Sequence, residues 1–376
     1  MQYRVLGNTG VKISSLGFGC MRFPEFEKNG EWHIDEEKTI PMLRRAYELG
    51  INYFDTAYYY CHENSPAVLG KALKGIRDKV YLTNKFPLWA EFTKQSDYRR
   101  FLEICLKRLD TNYIDFYHFW SLNKSTFDEK IIGMDLLKEA QKAKEEGLIK
   151  HISFSFHDNP ENMKYIIDKG EIFETVLCQY NLLDRSNEDA IKYASSKGLG
   201  VIAMGPVAGG KLAAPAEFAE KILGKSKETY ELALRFVLGN PNITCALSGM
   251  SDIDMLEKNV KVCSDENPMS EDERDRIVIV MEELKKLSDL YCTGCGYCQP
   301  CPAKINIPKI FNIFNNHNVY GLSESAKNDY IWYKQTGSEG TMPSECTDCG
   351  LCESKCPQKL EIRKHLKRVD EVLKSL

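Results

Sequence analysis

Eight of the fourteen cysteines stand in two tight runs near the C-terminus. The first run is Cys292, Cys295, Cys298 and Cys301, evenly spaced, with Pro302 after the last. The second is Cys346, Cys349, Cys352 and Cys356, with one extra residue before the last and Pro357 after it. Thiolates at every third position can wrap an iron–sulfur cube. The Cys-Pro endings mark turns where the last cysteine leaves its own run. In two-cluster modules that cysteine ligates the other cluster. The spacing therefore predicts two 4Fe–4S clusters, one on Cys292, Cys295, Cys298 and Cys356, the other on Cys346, Cys349, Cys352 and Cys301. A pair of zinc sites is the alternative, but zinc has no use for the Cys-Pro endings. An internal repeat supports the pairing: CPAKINIPKI from Cys301 is echoed by CPQKLEIRKH from Cys356. The other six cysteines are scattered and read as small buried hydrophobes.

A second constellation lies far upstream. Asp55 ends an apolar segment, Tyr60 follows five residues later, and Lys85 ends the next such segment. A phenol ordinarily titrates near ~10. A neighbouring ammonium favours the phenolate, so a Tyr beside a Lys is expected to be acidified into a usable proton donor. Asp55 would keep that Lys charged and oriented.

These residues need a frame. Eight short apolar segments run through the first 250 residues: 16–20, 51–55, 80–85, 113–120, 151–156, 175–180, 200–205 and 243–249. Amphipathic stretches such as TIPMLRRAYELG and YRRFLEICLKRLD separate them. Apolar strands alternating with helices imply a parallel sheet covered by helices. Eight such units predict an α/β fold with a closed (β/α)8 TIM barrel. An open doubly wound sheet is the alternative, weakened because Gly17-Phe18-Gly19 is followed by no third glycine in register. Residues 1–290 are assigned to the barrel, including a helix over 270–289. Residues 291–376 form a small, mainly helical ferredoxin-like domain. In a barrel the carboxyl ends of strands carry the chemistry, which is where Asp55 and Lys85 fall.

Composition closes off other classes. Lys and Arg number 50 against 54 Asp and Glu, a net charge of −4. That excludes a broadly basic nucleic-acid binder and a polybasic membrane anchor. No apolar run is long enough to span a bilayer, and the first ten residues lack the apolar stretch of a secretion signal. The expected location is the cytoplasm. Gly205-x4-Gly210-Lys211 mimics a phosphate-binding loop, but Leu212 follows where Ser or Thr would hold magnesium. Nucleotide hydrolysis is set aside on that ground.

The segments LGNTGVKISSLGFGCMR, INYFDTAYYY, YLTNK, YIDFYHFW, SFSF, QYN, VIAMGPVAGGKL and LSGMSDIDMLEKN, in this order, resemble the aldo/keto reductase family, in its branch with a C-terminal ferredoxin-type domain. Three of the family's four catalytic positions correspond to Asp55, Tyr60 and Lys85. The fourth, a His, is replaced by Trp120. His118 lies two residues earlier, on the same side of an extended strand and one layer deeper. It is a substitute acid or a core histidine, and Trp120 a wall of the substrate pocket. His157 and His62 are other substitutes. The resemblance implies a nicotinamide cofactor held by Ser155, Gln179, Met204, Gly205, Lys211, Ser248, Gly249, Ser251 and Asn259. Gly249 and Met255 occupy places where the family commonly carries Lys and Arg against a 2′-phosphate, so NADPH and NADH are not distinguished. Ser251 is expected to open a helix whose N-terminus favours anions.

The expected function is an oxidoreductase acting on a small molecule with NAD(P)H, Tyr60 being the proton donor. Without the family His, carbonyl polarisation loses a donor, and an activated double bond or another electrophile becomes the better substrate. Hydride transfer moves two electrons together, whereas a 4Fe–4S centre moves one. The clusters therefore either hold the module together or relay single electrons from a ferredoxin-like donor, with a flavin or radical chemistry in the pocket. The competing reading is an electron-transfer protein on a modified barrel scaffold.

Overall fold

In the computed structural model, residues 1–376 are described except 89–91, 93, 214–227, 267–268, 287–289, 291, 293, 295 and 357–358. Two compact units result. One comprises 1–210 with 233–271, the other 211–232 with 272–376. From Asp272 on, the helix Glu271–Lys286, assigned from sequence to the barrel, groups with the C-terminal residues.

The first unit opens with an antiparallel hairpin, β1 (Tyr3–Val5) and β2 (Lys12–Ser14). Eight parallel strands then close a barrel: β3 (Leu16–Gly19), β6 (Tyr53–Asp55), β7 (Tyr81–Phe86), β8 (Ile114–Leu122), β9 (Ile149–Phe156), β10 (Thr175–Gln179), β11 (Gly200–Met204) and β12 (Cys245–Gly249). Ring closure is the pairing of β12 with β3, where Gly249 lies opposite Gly19. All eight sequence-expected strands are present, so the closed barrel replaces the open-sheet alternative.

The barrel is filled from its amino end. Leu6 and Ile13 of the hairpin join Tyr53, Phe116, Leu177, Ile202, Cys245 and Leu247 in one apolar cluster. Leu6 fits only because residue 200 is glycine, since a Cβ there would stand 2.4 Å from Leu6 Cδ1. With the bottom plugged, polar side chains are left for the carboxyl end.

Helix boundaries follow ordinary capping chemistry. The Asp35 carboxylate accepts from Lys38 N before the helix Glu36–Glu48, and Gly50, at φ +94°, turns the chain out after it. A second hairpin, β4 (Glu25–Lys28) and β5 (Glu31–Ile34), follows β3. Nothing in the strand pattern announced it. Its residues are mostly exposed and polar, so no apolar periodicity marks them.

The second unit is helical. Helices Ile307–Asn318, Ser323–Thr336 and Ile362–Ser375 share a core that includes Ile310, Phe311, Phe314, Tyr333, Leu366 and Val369. No helix among the described residues is long and apolar enough to cross a membrane.

Candidate active site and thiol-lined cavity

The last residue of β6 and the fifth of β7 bring Asp55 and Lys85 together inside the barrel. The Lys85 ammonium lies 2.5 Å from Asp55 Oδ1, and both residues are 1% exposed. A buried pair of this kind survives only if its remaining bonding capacity is met. It is met here. Thr83 donates to the other Asp55 oxygen. Lys85 also donates to the Thr56 carbonyl at 2.8 Å and faces the Tyr60 ring, 4.7 Å from its centroid.

The chain after β6 is bent to put Tyr60 there. Tyr60 N donates to Ala57 O, and the next three residues, Cys61, His62 and Glu63, all have positive φ (51°, 53° and 70°). Left-handed backbone at non-glycine residues is strained, of order 1–3 kcal/mol each. Side-chain ties hold it. Ser65 donates to the Cys20 carbonyl at 2.7 Å and bonds Thr56 Oγ1 at 2.8 Å. Arg108 clamps Glu63 and lies over the Tyr58 ring.

Electrostatics correct one sequence expectation. Burial raises the Tyr60 pKa, and the Coulombic and hydrogen-bonding pull of Lys85 offsets only part of that rise. The phenol is not acidified below its ordinary value. It is a protonated donor across the neutral range, poised over a cation. Burial by itself would lower the Lys85 pKa, but Asp55 and Tyr60 outweigh it and leave it raised. The ammonium stays charged.

Trp120 and His118 stand where the alternation of β8 requires. Phe116, His118 and Trp120 climb the inner face. Phe116 packs on Tyr53 and His151 at the bottom, His118 is paired in register with Lys85, and Trp120 meets Tyr60 edge-on at 5.5 Å and Tyr59 at 6.0 Å. A β-bulge aims the tryptophan. Phe119 pairs with Phe154 but Leu122 with Phe156, so β8 carries one extra residue. Ser121, at φ +57°, donates its N–H to Ser155 Oγ at 2.7 Å.

His118 is fully buried, and neither ring nitrogen has a well-formed hydrogen bond among the described residues. Burial, with a smaller contribution from Lys85, lowers its pKa to about 4 despite Asp55. It is a neutral core histidine. His62 is held by Glu25 at 3.0 Å and stacks on Trp32, while His157 is exposed just past β9.

The expected cofactor residues occupy the carboxyl ends of β9 to β12. Ser155 is buried and committed in part to the bulge. Gln179 and Met204 end β10 and β11 side by side. Gly205, at φ +64°, leaves room for Gln179, whose Oε1 would stand 2.8 Å from a Cβ there. Asn181, missed from sequence as a site residue, donates to the Gly205 carbonyl at 3.0 Å. Buried Ser248 accepts from Asn259 at 3.3 Å. Two calls change. Ser251 does not cap the following helix; Asp252 does, accepting from Met255 N at 2.8 Å before Ile253–Cys263. Lys211 is committed to Asp329, 2.5 Å away within the second unit. Arg22 was also missed: its stem lies over Gly249 and its guanidinium beside Gly209.

In the second unit, Cys301, Cys346, Cys349 and Cys352 line one small pocket, together with Cys298 and Arg363. Three thiols of the second run thus share a space with the last thiol of the first. Cys292, Cys298 and Cys356 border the same apolar core, and Cys295 lies outside the described residues. Among the described residues no three Cys, His or carboxylate groups gather tightly enough for a single ion. None of the described cysteines forms a disulfide.

Barrel, buried ion pair and thiol cavity together define an oxidoreductase with an iron–sulfur domain. Residues 15–282 match the aldo/keto reductase family and residues 291–361 a 4Fe-4S dicluster domain, so the chain belongs to the aldo/keto reductase family and carries such a domain at its C-terminal end. L-galactose dehydrogenase of Arabidopsis thaliana is 29% identical over 318 residues, covering 77% of this chain and 97% of the relative. An uncharacterized oxidoreductase of Schizosaccharomyces pombe is 32% identical, covering 66% of this chain and 81% of the relative. The holo form of an aldo-keto reductase from Bacillus halodurans superposes with a TM-score of 0.64 at 26% identity, covering 74% of this chain and 96% of that one.

The buried histidine gives a pH signature. Its folded pKa, about 4, lies below the ordinary 6.5. The unfolded chain therefore binds the extra proton first, and stability present above about pH 6.5 is lost as pH falls towards 4. The linked loss is of order 3 kcal/mol. Chemical denaturation at pH 7.5 and pH 4.5 should show His118→Phe losing less stability over that interval than the wild type. An identical loss in both would mean that His118 is not the buried neutral group.

Proposed function

We propose that the barrel mouth binds NAD(P)H and a small organic substrate, and that Tyr60 delivers the proton that completes the reduction. The observation that carries this reading is the buried Asp55–Lys85 pair under the Tyr60 ring. The nicotinamide, when bound, supplies a hydride. The protein's part is electrostatic and positional. Tyr60 holds its proton through neutral pH, Lys85 stabilises the phenolate left behind, and Asp55 keeps the ammonium in place. Ser155, Gln179, Met204 and Gly205 would hold the nicotinamide end, and Ser248, Gly249, Ser251 and Asn259 the far end. Lys211, already paired, is left out of that set.

Trp120 in place of the family His, with His118 neutral and enclosed below it, favours a substrate that needs little carbonyl polarisation. An activated carbon–carbon double bond fits that requirement. The dicluster domain would hold two 4Fe–4S clusters, cross-ligated through Cys301 and Cys356, and take single electrons from a ferredoxin-like donor in a reducing cytoplasm. The pocket that Cys298 and Cys301 of the first run share with Cys346, Cys349 and Cys352 of the second supports the close approach of the two runs that such cross-ligation needs. An electron-transfer protein on a barrel scaffold is the second reading. Trp120 and Gly249 favour it, and the intact Asp55, Tyr60 and Lys85 set speaks against it.

Tyr60→Phe should leave the fold and dinucleotide affinity intact and lower the single-turnover rate of substrate reduction roughly 10²–10⁴-fold. An undiminished rate would remove Tyr60 from the chemistry. Anaerobic iron and sulfide analysis of Cys301→Ser should give about half the wild-type content, the cluster of the first run remaining. Wild-type content in the variant, or zinc in place of iron, would contradict the cross-ligated pair.

A further inference from the structure

We infer that Arg22 is the phosphate-binding cation of the dinucleotide site, supplying from the first barrel strand the charge that Gly249 and Met255 do not supply from the last. The inference rests on the nicotinamide reading above. In (β/α)8 barrels the phosphate site commonly lies by the loops after strands seven and eight. Here those loops follow β11 and β12. Arg22, three residues past the end of β3, bridges them. A Cβ on Gly249 would stand 3.5 Å from Arg22 Cδ and 3.7 Å from its Cγ. A Cβ on Gly209, which has φ +69°, would stand 3.6 Å from Arg22 Nη2. The arginine stem therefore crosses one bare backbone and its head rests by another.

Three further observations point the same way. Arg22 is exposed, and it makes no ion pair or hydrogen bond among the described residues. The nearby helix Ile253–Cys263 cannot offer a fully open N-terminus, because Asp252 already accepts from Met255 N. A Cβ at position 249 would already be in van der Waals contact with the Arg22 stem, so the stem lies directly along the end of the last barrel strand. A guanidinium presents a planar fork of donors that matches two phosphate oxygens at once.

Isothermal titration of the anaerobically prepared full-length protein with NADH and with NADPH tests this. Arg22→Gln should weaken at least one dinucleotide roughly tenfold to hundredfold and flatten the salt dependence of its affinity. Arg22→Lys should recover part of the loss, and Arg22→Gly combined with Gly249→Lys should recover it from the other strand. A loss confined to NADPH assigns Arg22 to the 2′-phosphate, and a loss for both assigns it to the diphosphate bridge. The melting temperature should not move, since the side chain is exposed and lies against glycine backbone. Equal affinity and equal salt dependence in wild type and Arg22→Gln would overturn the inference. Failure of the wild type to bind either dinucleotide would overturn the nicotinamide reading, and the inference with it.

Discussion

A carboxylate and an ammonium at 1% exposure cannot stand alone in a barrel. Stripping either of its partner leaves an uncompensated buried charge, at a cost of about 3–5 kcal/mol. The Asp55–Lys85 pair is therefore a constraint on everything around it. It fixes the register of β6 against β7, where Asp55 lies opposite Thr83, the residue that donates to it. It requires the Thr56 carbonyl to turn inward. It also leaves one face of the ammonium to be covered, and the Tyr60 ring covers it.

Placing that ring is expensive in backbone terms. Three successive left-handed residues follow Tyr60, and a bulge in β8 brings Trp120 across to meet it. Both departures from regular geometry sit at the carboxyl end, while the amino end is plugged with tight apolar packing around Leu6 and Gly200. Strain concentrated at one end and dense packing at the other is a division of labour common to barrels that do chemistry.

Much of this was legible in the residues. The eight apolar strands, the Asp55, Tyr60 and Lys85 set and the two cysteine runs are carried by composition and spacing, which do not depend on tertiary detail. What was not legible depends on through-space balance. The direction of the Tyr60 pKa follows from burial outweighing a neighbouring cation, and burial is a property of the fold. The bulge at Ser121 turns on the hydroxyl of Ser155, on the next strand. The β4–β5 hairpin is polar and exposed, so no periodic signal marks it. Arg22 was hidden because its partners, Gly209 and Gly249, are distant in sequence and have no side chains to advertise them. Lys211 drew notice through a glycine-rich motif, whereas its actual partner, Asp329, lies more than a hundred residues away.

The titration of the Tyr60 phenol in the folded protein bears most directly on this arrangement. Tyrosine labelled with ¹³C at the ring ζ carbon, assigned by comparison with Tyr60→Phe, would be followed by NMR in the wild type and in Lys85→Met. The phenol should titrate above the ordinary tyrosine range in the wild type and higher still once the ammonium is gone. An ordinary value in both proteins, or a lower one in Lys85→Met, would show that the cation does not govern the phenol.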